Sequence, residues 1–261
     1  MTKYDQKENI WIIGASSGIG AALASAYTHA GHKVIISARR QDVLNDLAEQ
    51  ISAQNPDRIV LSTYPLDVTD APACFKTAAS IFEQISHIDR IIIMAGQSMP
   101  TAFNRLDLDR ARALFDINVM GTLHIIQAVL PLLTQQGFGQ LALCGSVAGY
   151  RGLPTGQPYC ATKAAVINIA ESLRCEYQNT KIDIRVINPG FVDTPMTRKN
   201  TFPMPMMITA EKAAQDIIRG LKGRSFEIHC PKRFTYLMKI MDVLPYPLYF
   251  WLMRQIRKHV R

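Results

Sequence analysis

The sequence predicts an α/β protein built on a single Rossmann-like, doubly wound parallel sheet with helices on both faces. Short runs of Ile, Val and Leu alternate with longer helical patterns up to about residue 230. The short runs do not alternate polar with apolar residues, which indicates strands buried on both faces, as in a parallel sheet. A glycine-rich turn joins the first apolar run to the first helical pattern, as in nucleotide-binding folds.

The predicted elements follow one another without a linker, repeat or low-complexity segment. Strands are expected at Ile10–Ile13, Lys33–Ser37, Arg58–Thr63, His87–Met94, Gly139–Cys144 and Lys181–Ile187. Helices are expected at 18–30, closed by Gly31, and near 41–53, 70–85, 109–134 and 158–179. We therefore expect one domain over 1–230, followed by a basic apolar tail over 231–261.

Composition excludes several protein classes. With 261 residues, of which 48% are hydrophobic and 19% charged, the chain is unlike disordered, collagen-like or repeat proteins. We find no apolar run approaching the ~20 residues of a membrane-spanning helix, and no secretory signal in Met1–Asn9. The five cysteines are odd in number and none lies in a C-x-x-C pair, which favours free thiols in the cytoplasm.

The net charge of +8 is confined to the C-terminal end of the chain. Residues 219–261 hold ten Lys/Arg and two acids, whereas residues 1–218 hold 19 basic and 19 acidic residues. A neutral body argues against a nucleic-acid-binding core. The tail also carries large apolar and aromatic residues, and two interpretations stay open. It packs on its own or a partner subunit and walls the substrate pocket, or it lies peripherally in the interface of an anionic membrane.

The glycine-rich turn has the spacing G-x-x-x-G-x-G at Gly14, Gly18 and Gly20. Glycines there permit a tight turn and let the backbone approach a pyrophosphate at a helix N-terminus. A plain tight turn is the alternative. After the second strand stand Arg39 and Arg40, where an NAD enzyme usually has an acid that holds the ribose hydroxyls. Cations at a helix start oppose its dipole, so a 2′-phosphate clamp explains them, and NADP(H) is favoured over NAD(H).

Tyr159 and Lys163 lie four residues apart and thus on one face of a helix. A neighbouring lysine lowers the pKa of a phenol, and such a tyrosine can exchange a proton with a carbonyl oxygen as hydride is transferred. Ser146 follows the strand that ends at Cys144, and carboxyl ends of parallel strands face the ligand crevice. Taken singly, a Tyr–Lys pair at this spacing is usually an ordinary surface contact.

In combination, these residues resemble the short-chain dehydrogenase/reductase family. The glycine turn, Asn118 in Asp116–Gly121, Ser146 and the Tyr159/Lys163 pair follow that family's order, and residues 188–194 look like its loop over the nicotinamide. The resemblance covers about residues 10–200. It departs at Ile93-Met94-Ala95-Gly96, where the family often has Asn-Asn-Ala-Gly, so side-chain bonds that brace the sheet are expected to be missing.

The resemblance implies a role for each matching residue. Tyr159 would be the general acid/base, and Lys163 would hold the nicotinamide ribose and depress the tyrosine pKa. Ser146 would bind the substrate carbonyl, and Asn118 would position a water that links Lys163 to solvent. The implied cofactor contacts are Gly14, Ser16, Ser17, Gly18, Ile19, Gly20, Arg39, Arg40, Asp67, Val68, Ala95, Gly96, Tyr159, Lys163, Pro189, Gly190, Val192 and Thr194. We assign no metal site, and we expect a homodimer or homotetramer.

The resemblance implies that 1–230 is an NADP-binding catalytic domain with a substrate lid near 194–210, and methionines and aromatic residues crowd the segment 196–208. Since methionine adapts to irregular apolar shapes, a hydrophobic or acyl carbonyl substrate is one interpretation, and simple packing on the body is the other. The predicted function is an NADPH-dependent carbonyl reductase or alcohol dehydrogenase. The alternative is a non-catalytic nucleotide-binding regulatory protein.

Overall fold

The computed structural model describes residues 7–54, 62–99, 101–200 and 202–259. Its strands are β1 (Asn9–Ile13), β2 (Lys33–Ala38), β3 (Ser62–Pro65), β4 (Arg90–Ile93), β5 (Gly139–Cys144), β6 (Ile182–Pro189), β7 (Val192–Asp193), β8 (Ile208–Thr209) and β9 (Glu227–Cys230). Its α-helices are α1 (Gly18–His29), α2 (Gln41–Gln54), α3 (Ala71–Gln84), α4 (Leu108–Phe115), α5 (Gly121–Gln136), α6 (Tyr159–Tyr177), α7 (Ala210–Lys222), α8 (Lys232–Asp242) and α9 (Tyr246–His259).

Seven strands form one fully parallel sheet in the order β3-β2-β1-β4-β5-β6-β9. The chain builds outward from β1 to β3 and then crosses to β4 on the other side of β1. This reversal separates the helices that follow β1 and β4 and opens a crevice at the carboxyl ends of the strands. The predicted Rossmann-like, doubly wound sheet is confirmed.

Side chains of alternate residues enter the two opposite cores of this sheet. In β1, Ile10 and Ile12 pack with α1, α2 and α7, whereas Trp11 and Ile13 pack with α3, α5 and α6. Each of these four side chains is at most 1% exposed. Burial on both faces explains why the strands lack a polar alternation in sequence.

Several element boundaries differ from expectation. The third strand was expected at 58–63 but is found at Ser62–Pro65, and residues 58–61 lie outside the described residues. The fourth strand begins at Arg90 and is shorter than expected. The side chain of Gln136 accepts from the N–H of Ile88 at 3.0 Å and donates to its carbonyl at 2.9 Å, so the Ile88 backbone bonds to this side chain and not to a neighbouring strand. Strand β9 was not predicted, since four residues with Glu and His among them carry little strand signal.

The helix expected over 109–134 is divided by one π-helical turn at Asp116–Met120. The whole stretch Leu108–Gln136 is, by length and composition alone, apolar enough to cross a membrane, contrary to the sequence expectation. However, Ile125, Val129 and Leu133 within it are fully buried against the sheet. It is therefore a core helix of the fold.

The tail folds as two helices that pack beside the carboxyl end of the sheet. Phe234, Met238 and Met241 of α8 and Tyr249 and Met253 of α9 are buried in one apolar cluster. The body contributes to this cluster residues that follow β5 and β6, namely Val147, Tyr150, Leu153 and Phe191. One face of the tail thus packs on its own subunit, as the first of the two sequence interpretations expected.

Candidate active site

The carboxyl ends of the central strands open into a cleft of about 370 Å³. Every residue predicted as a cofactor contact lines this cleft, and so does Ser146. The predicted catalytic residue Asn118 is 1% exposed and lies behind the cleft lining. The structure therefore brings into one place residues from six strand ends that are far apart in sequence.

The glycine-rich turn is shaped by close backbone contacts. Gly14 has a φ of +90°, and a Cβ there would lie 2.4 Å from the backbone nitrogen of Ala95. The N–H groups of Gly14 and Ala15 both donate to the carbonyl of Ser37, at 2.7 and 3.1 Å. The position before α1, Ser17, makes no side-chain cap hydrogen bond. The N–H groups of the first helical turn thus face the cleft as donors for an anion.

Two cations and one carboxylate stand at the outer end of the cleft. Arg39 and Arg40 follow β2, and both line the cleft with exposed side chains. Asp67, after β3, accepts hydrogen bonds at Oδ1 from the N–H and hydroxyl of Thr69, at 2.9 and 2.8 Å. These bonds order the turn that carries Val68 into the cleft lining.

Ser146, Tyr159 and Lys163 meet at the inner end of the cleft. The Ser146 hydroxyl donates to the carbonyl of Pro189 at 3.4 Å and accepts from the N–H of Ala148 at 3.1 Å, and its interaction with Tyr159 lowers the pKa of that tyrosine. Lys163 Nζ donates to the carbonyl of Cys144 at 2.8 Å and lies 5.9 Å from the centroid of the Tyr159 ring.

Electrostatics in this corner differ from the sequence expectation. Burial raises the pKa of Tyr159, and the hydrogen bond with Ser146 opposes this rise only in part. Burial also lowers the pKa of Lys163, which disfavours its charge. The expected depression of the tyrosine pKa is therefore not seen, because desolvation is the largest influence on it, while Lys163 Nζ donates to the carbonyl of Cys144.

Asn118 sits in the π-helical turn and braces two neighbouring segments. Its amide donates to the carbonyl of Gln97 and to the hydroxyl of Thr162, both at 2.9 Å, and its Oδ1 accepts from the N–H of Gln97 at 2.8 Å. A Cβ on Gly96 would lie 3.2 Å from this oxygen and 3.3 Å from Lys163 Nζ. The Asn118 amide thus fixes the strand end where the expected bracing side chains are missing. That Asn118 also positions a water stays a prediction.

Eleven further residues line the cleft and were not predicted as site residues. Most are direct neighbours of predicted ones at strand ends, which is the signal that could have identified them. They are Ile13, Ala38, Leu66, Met94, Gln97, Ile117, Cys144, Gly145, Pro195, Met196 and Thr197.

A carboxylate that sequence reasoning missed ties the cleft to the tail. Glu227, at the start of β9, accepts hydrogen bonds from Tyr150, from Lys239 and, at 2.8 Å, from the amide of Asn188. Burial raises the pKa of Glu227, but these three donors together outweigh burial and the net pKa is lowered. One side chain therefore links the segment after Ser146, the end of β6 and helix α8. No short-range pattern in the sequence signals this cluster.

The lid methionines take different positions. Met196 lines the cleft, whereas Met206 and Met207 are about half exposed. Met204 accepts a hydrogen bond at its sulfur from Asn200, at 3.5 Å. The segment therefore presents polarizable apolar surface at the mouth of the cleft, without being packed into the body as a whole.

Comparisons with known proteins agree with this geometry. The family model described as short chain dehydrogenase matches residues 8–203. A protein of Mycobacterium tuberculosis, named as an uncharacterized oxidoreductase, is 34% identical over 242 residues, which cover 92% of this chain and 94% of that protein. Two solved structures have a TM-score of 0.81. One is a short-chain dehydrogenase/reductase from Burkholderia phymatum in complex with NAD, at 19% identity with 92% of this chain and 94% of that chain covered. The other is a short-chain dehydrogenase from Burkholderia cenocepacia in complex with NADP, at 24% identity with 95% and 98% covered.

Proposed function

The chain belongs to the short-chain dehydrogenase family of oxidoreductases, and from this premise we propose that it transfers hydride between NADP(H) and a carbonyl or alcohol. The substrate is hydrophobic or carries an acyl chain, and Tyr159 is the general acid/base. The observation that carries this proposal is that Ser146, Tyr159 and Lys163 share one cleft with the glycine-rich turn.

The cleft fits a nicotinamide dinucleotide. Without a side chain at Gly14, the backbone of the turn packs directly on the end of β4, and the N–H groups that begin α1 stay open to a pyrophosphate. A bound dinucleotide supplies the hydride for reduction or accepts it for oxidation.

The cations at the end of β2 support a preference for NADP(H). Arg39 and Arg40 directly precede α2, whose positive N-terminal dipole disfavours them electrostatically. A 2′-phosphate near this position would be held by charge-assisted hydrogen bonds from a guanidinium. One structural neighbour has NAD bound and another has NADP bound, so these neighbours do not distinguish the two cofactors. The preference for NADP(H) therefore rests on Arg39 and Arg40.

The chain's own residues provide proton transfer and orientation. The Tyr159 hydroxyl is protonated at neutral pH and can donate its proton to a substrate oxygen during reduction. The Ser146 hydroxyl can turn from its long bond with the Pro189 carbonyl to the same substrate oxygen. Lys163 Nζ holds the nicotinamide ribose hydroxyls from its position beside the Cys144 carbonyl.

The surroundings of Ser146 support an apolar substrate. Val147, directly after it, is buried with Phe234 and Met238 of the tail, and Phe191 stacks within 4.9 Å of Phe234. This apolar cluster adjoins Ser146 through Val147, and Met196 adds an apolar side chain to the lining of the cleft. A non-catalytic nucleotide-binding protein remains the second candidate, but it has no use for the Ser146, Tyr159 and Lys163 constellation.

The domain boundaries, assembly and location form part of the proposal. We take 1–230 as the catalytic unit, with the lid near 194–210, and 231–261 as a tail that walls its pocket. The exposed side chains of Leu108, Phe115 and Met120 offer one apolar surface for a homodimer or homotetramer. All five cysteines are free thiols, which suits the reducing cytoplasm.

A Tyr159→Phe variant tests the chemistry. It keeps the ring but removes the transferable proton, so turnover in NADPH oxidation against a carbonyl panel should fall by roughly 10²–10⁴. Nucleotide affinity by calorimetry should stay close to the original value. Tyr177→Phe, at the other end of α6, is the matched control and should leave turnover unchanged. Near-normal turnover of Tyr159→Phe on a substrate that the enzyme reduces would refute the assignment.

A further inference from the structure

The tail has a second face whose apolar side chains are largely exposed, although Tyr236 lies edge-on to His229 of β9 and Tyr246 lies against the guanidinium of Arg151. Of the large apolar side chains exposed in the described residues, nine of eighteen belong to residues 236–256. Val243, Tyr246 and Ile240 are 80%, 69% and 59% exposed. The others are Tyr236, Leu237, Leu248, Phe250, Trp251 and Ile256, each between 44% and 57% exposed. We call these nine side chains the outer face of the tail.

The outer face is held in place by contacts between the tail helices and the segment that follows Ser146. Arg151 Nη1 donates to the carbonyls of Met241, Asp242 and Leu244 at 2.7 to 2.8 Å, at the end of α8. Its guanidinium also lies 4.0 Å from the ring centroid of Tyr249, whose hydroxyl donates to the carbonyl of Gly152 at 2.6 Å. The exposed apolar side chains are therefore displayed on a fixed support, not on a loose chain end.

Cations accompany this apolar face. Lys232, Arg233 and Arg254 are exposed on α8 and α9, and residues 219–261 carry ten basic against two acidic residues. Tyr and Trp beside Lys and Arg are typical of segments that lie at the boundary between lipid headgroups and acyl chains. Cations near an anionic lipid surface add electrostatic attraction to the burial of apolar side chains.

The charge also selects between a lipid surface and a second copy of the chain. A two-fold interface brings identical patches together, so two tails with the same excess of cations would face and repel each other. An anionic lipid surface meets both the apolar and the cationic side chains with complementary chemistry. We propose that the outer face of the tail docks the protein on anionic lipid surfaces, with its inner face remaining packed beside Ser146.

This docking does not depend on the proposed activity. One consequence does rest on the proposed function. It is that a substrate dissolved in the membrane reaches the apolar cluster beside Ser146 from the lipid side. Binding to vesicles is therefore measured without turnover, so that its failure and a failure of the reductase assignment are separate results.

The two tryptophans provide a direct probe for the full-length protein. Trp251 is 52% exposed on the outer face, whereas Trp11 is fully buried in the sheet and donates to Ser37 at 3.0 Å. Vesicles of phosphatidylcholine with phosphatidylserine should shift the tryptophan emission to shorter wavelength as Trp251 leaves water. Phosphatidylcholine vesicles alone should not, and added salt should reverse the shift, because screening weakens the attraction. Trp251→Phe should lose the shift but still co-sediment with anionic vesicles.

A pair of variants tests the surface itself. Ile240→Ser combined with Phe250→Ser changes two exposed outer-face side chains and should reduce co-sedimentation with anionic vesicles at least several-fold. Phe103→Ser is the matched control, since Phe103 is 74% exposed but lies outside the tail. Point substitutions are preferable to truncation near Lys232, which would also remove Phe234 and Met238 from the buried cluster.

Three results would overturn the proposal. The first is no binding of the full chain to anionic vesicles at low salt, and the second is equal binding to neutral and anionic vesicles. The third is a double variant that retains vesicle binding but dissociates an oligomer in sedimentation velocity, which would assign the outer face to a second copy.

Discussion

Replacing Gly14 by alanine should cost the protein more stability than the same change at another glycine with the same backbone conformation. Gly14 has a φ of +90°, and a Cβ there would lie 2.4, 2.7 and 2.8 Å from backbone atoms of Ala95 and Met94. Gly137, after α5, has a φ of +84° but no atom within 4 Å of such a Cβ. The two substitutions therefore share the cost of a left-handed alanine and differ in the steric collision.

The magnitudes follow from these two terms. A left-handed backbone costs an alanine about 1–2 kcal/mol, which is the whole loss expected for Gly137→Ala. Overpacking against atoms that cannot rotate away typically adds 1–3 kcal/mol. Gly14→Ala should therefore lose about 2–5 kcal/mol of unfolding free energy, because the colliding atoms belong to the end of β4. The entropy that glycine loses in folding is common to both variants and cancels in their difference.

Urea unfolding of the two variants and the original protein, followed by circular dichroism, measures this difference. Calorimetry with NADPH provides a second readout, since separating the turn from β4 should weaken nucleotide binding in Gly14→Ala and leave it unchanged in Gly137→Ala. Equal losses of stability in the two variants would refute the reasoning. So would a Gly14→Ala protein that is as stable as the original.

Three further predictions concern the cofactor, the lysine and the buried carboxylate. Arg39→Asp should weaken NADPH binding. It should also lower the ratio of kcat/KM with NADPH to kcat/KM with NADH by roughly 10–100-fold, which narrows or reverses the preference. This factor corresponds to the loss of one hydrogen bond between charged groups. Lys163→Ala should lower both turnover and cofactor affinity, measured by steady-state kinetics and calorimetry. Because the pKa of Glu227 is lowered in the fold, its contribution to stability is present above the unfolded-state pKa of about 4.3 and is lost as the pH falls through the folded pKa. The urea midpoints of the original protein and of Glu227→Gln should therefore converge as the pH is lowered from 6 to the lowest value at which the protein stays folded.

Each of these predictions has an outcome that contradicts it. Equal kinetics with NADPH and NADH in the original protein would contradict the proposal that Arg39 selects NADPH. If Lys163→Ala lost turnover but kept its cofactor affinity, Lys163 would not be a residue that binds the nicotinamide ribose. A stability difference between the original protein and Glu227→Gln that stays constant with pH would mean that the Glu227 carboxylate does not titrate with folding.

Features that depend on neighbours in sequence were predictable. The sheet, the glycine turn and the four-residue spacing of Tyr159 and Lys163 follow from short-range rules, because a strand, a βα turn and a helix each constrain residues only a few positions apart. The order of these segments then places their functional residues at the same edge of a parallel sheet.

Burial decides two features that short-range patterns do not reveal. The helix Leu108–Gln136 is apolar because it lies in the core, and composition alone does not distinguish that environment from a membrane. The pKa of Tyr159 is raised by desolvation, which depends on every element packed around the ring.

The sequence by itself thus determined the sheet, the turn that receives a dinucleotide and the residue types at the reacting corner. Only the tertiary structure decided which groups meet around Glu227, and which side of the tail is buried. Both α8 and α9 have apolar side chains on more than one side, so their hydrophobic pattern fits packing and interfacial binding equally well. The buried side of the two helices is the one covered by Val147, Tyr150 and Phe191, which are distant from the tail in sequence.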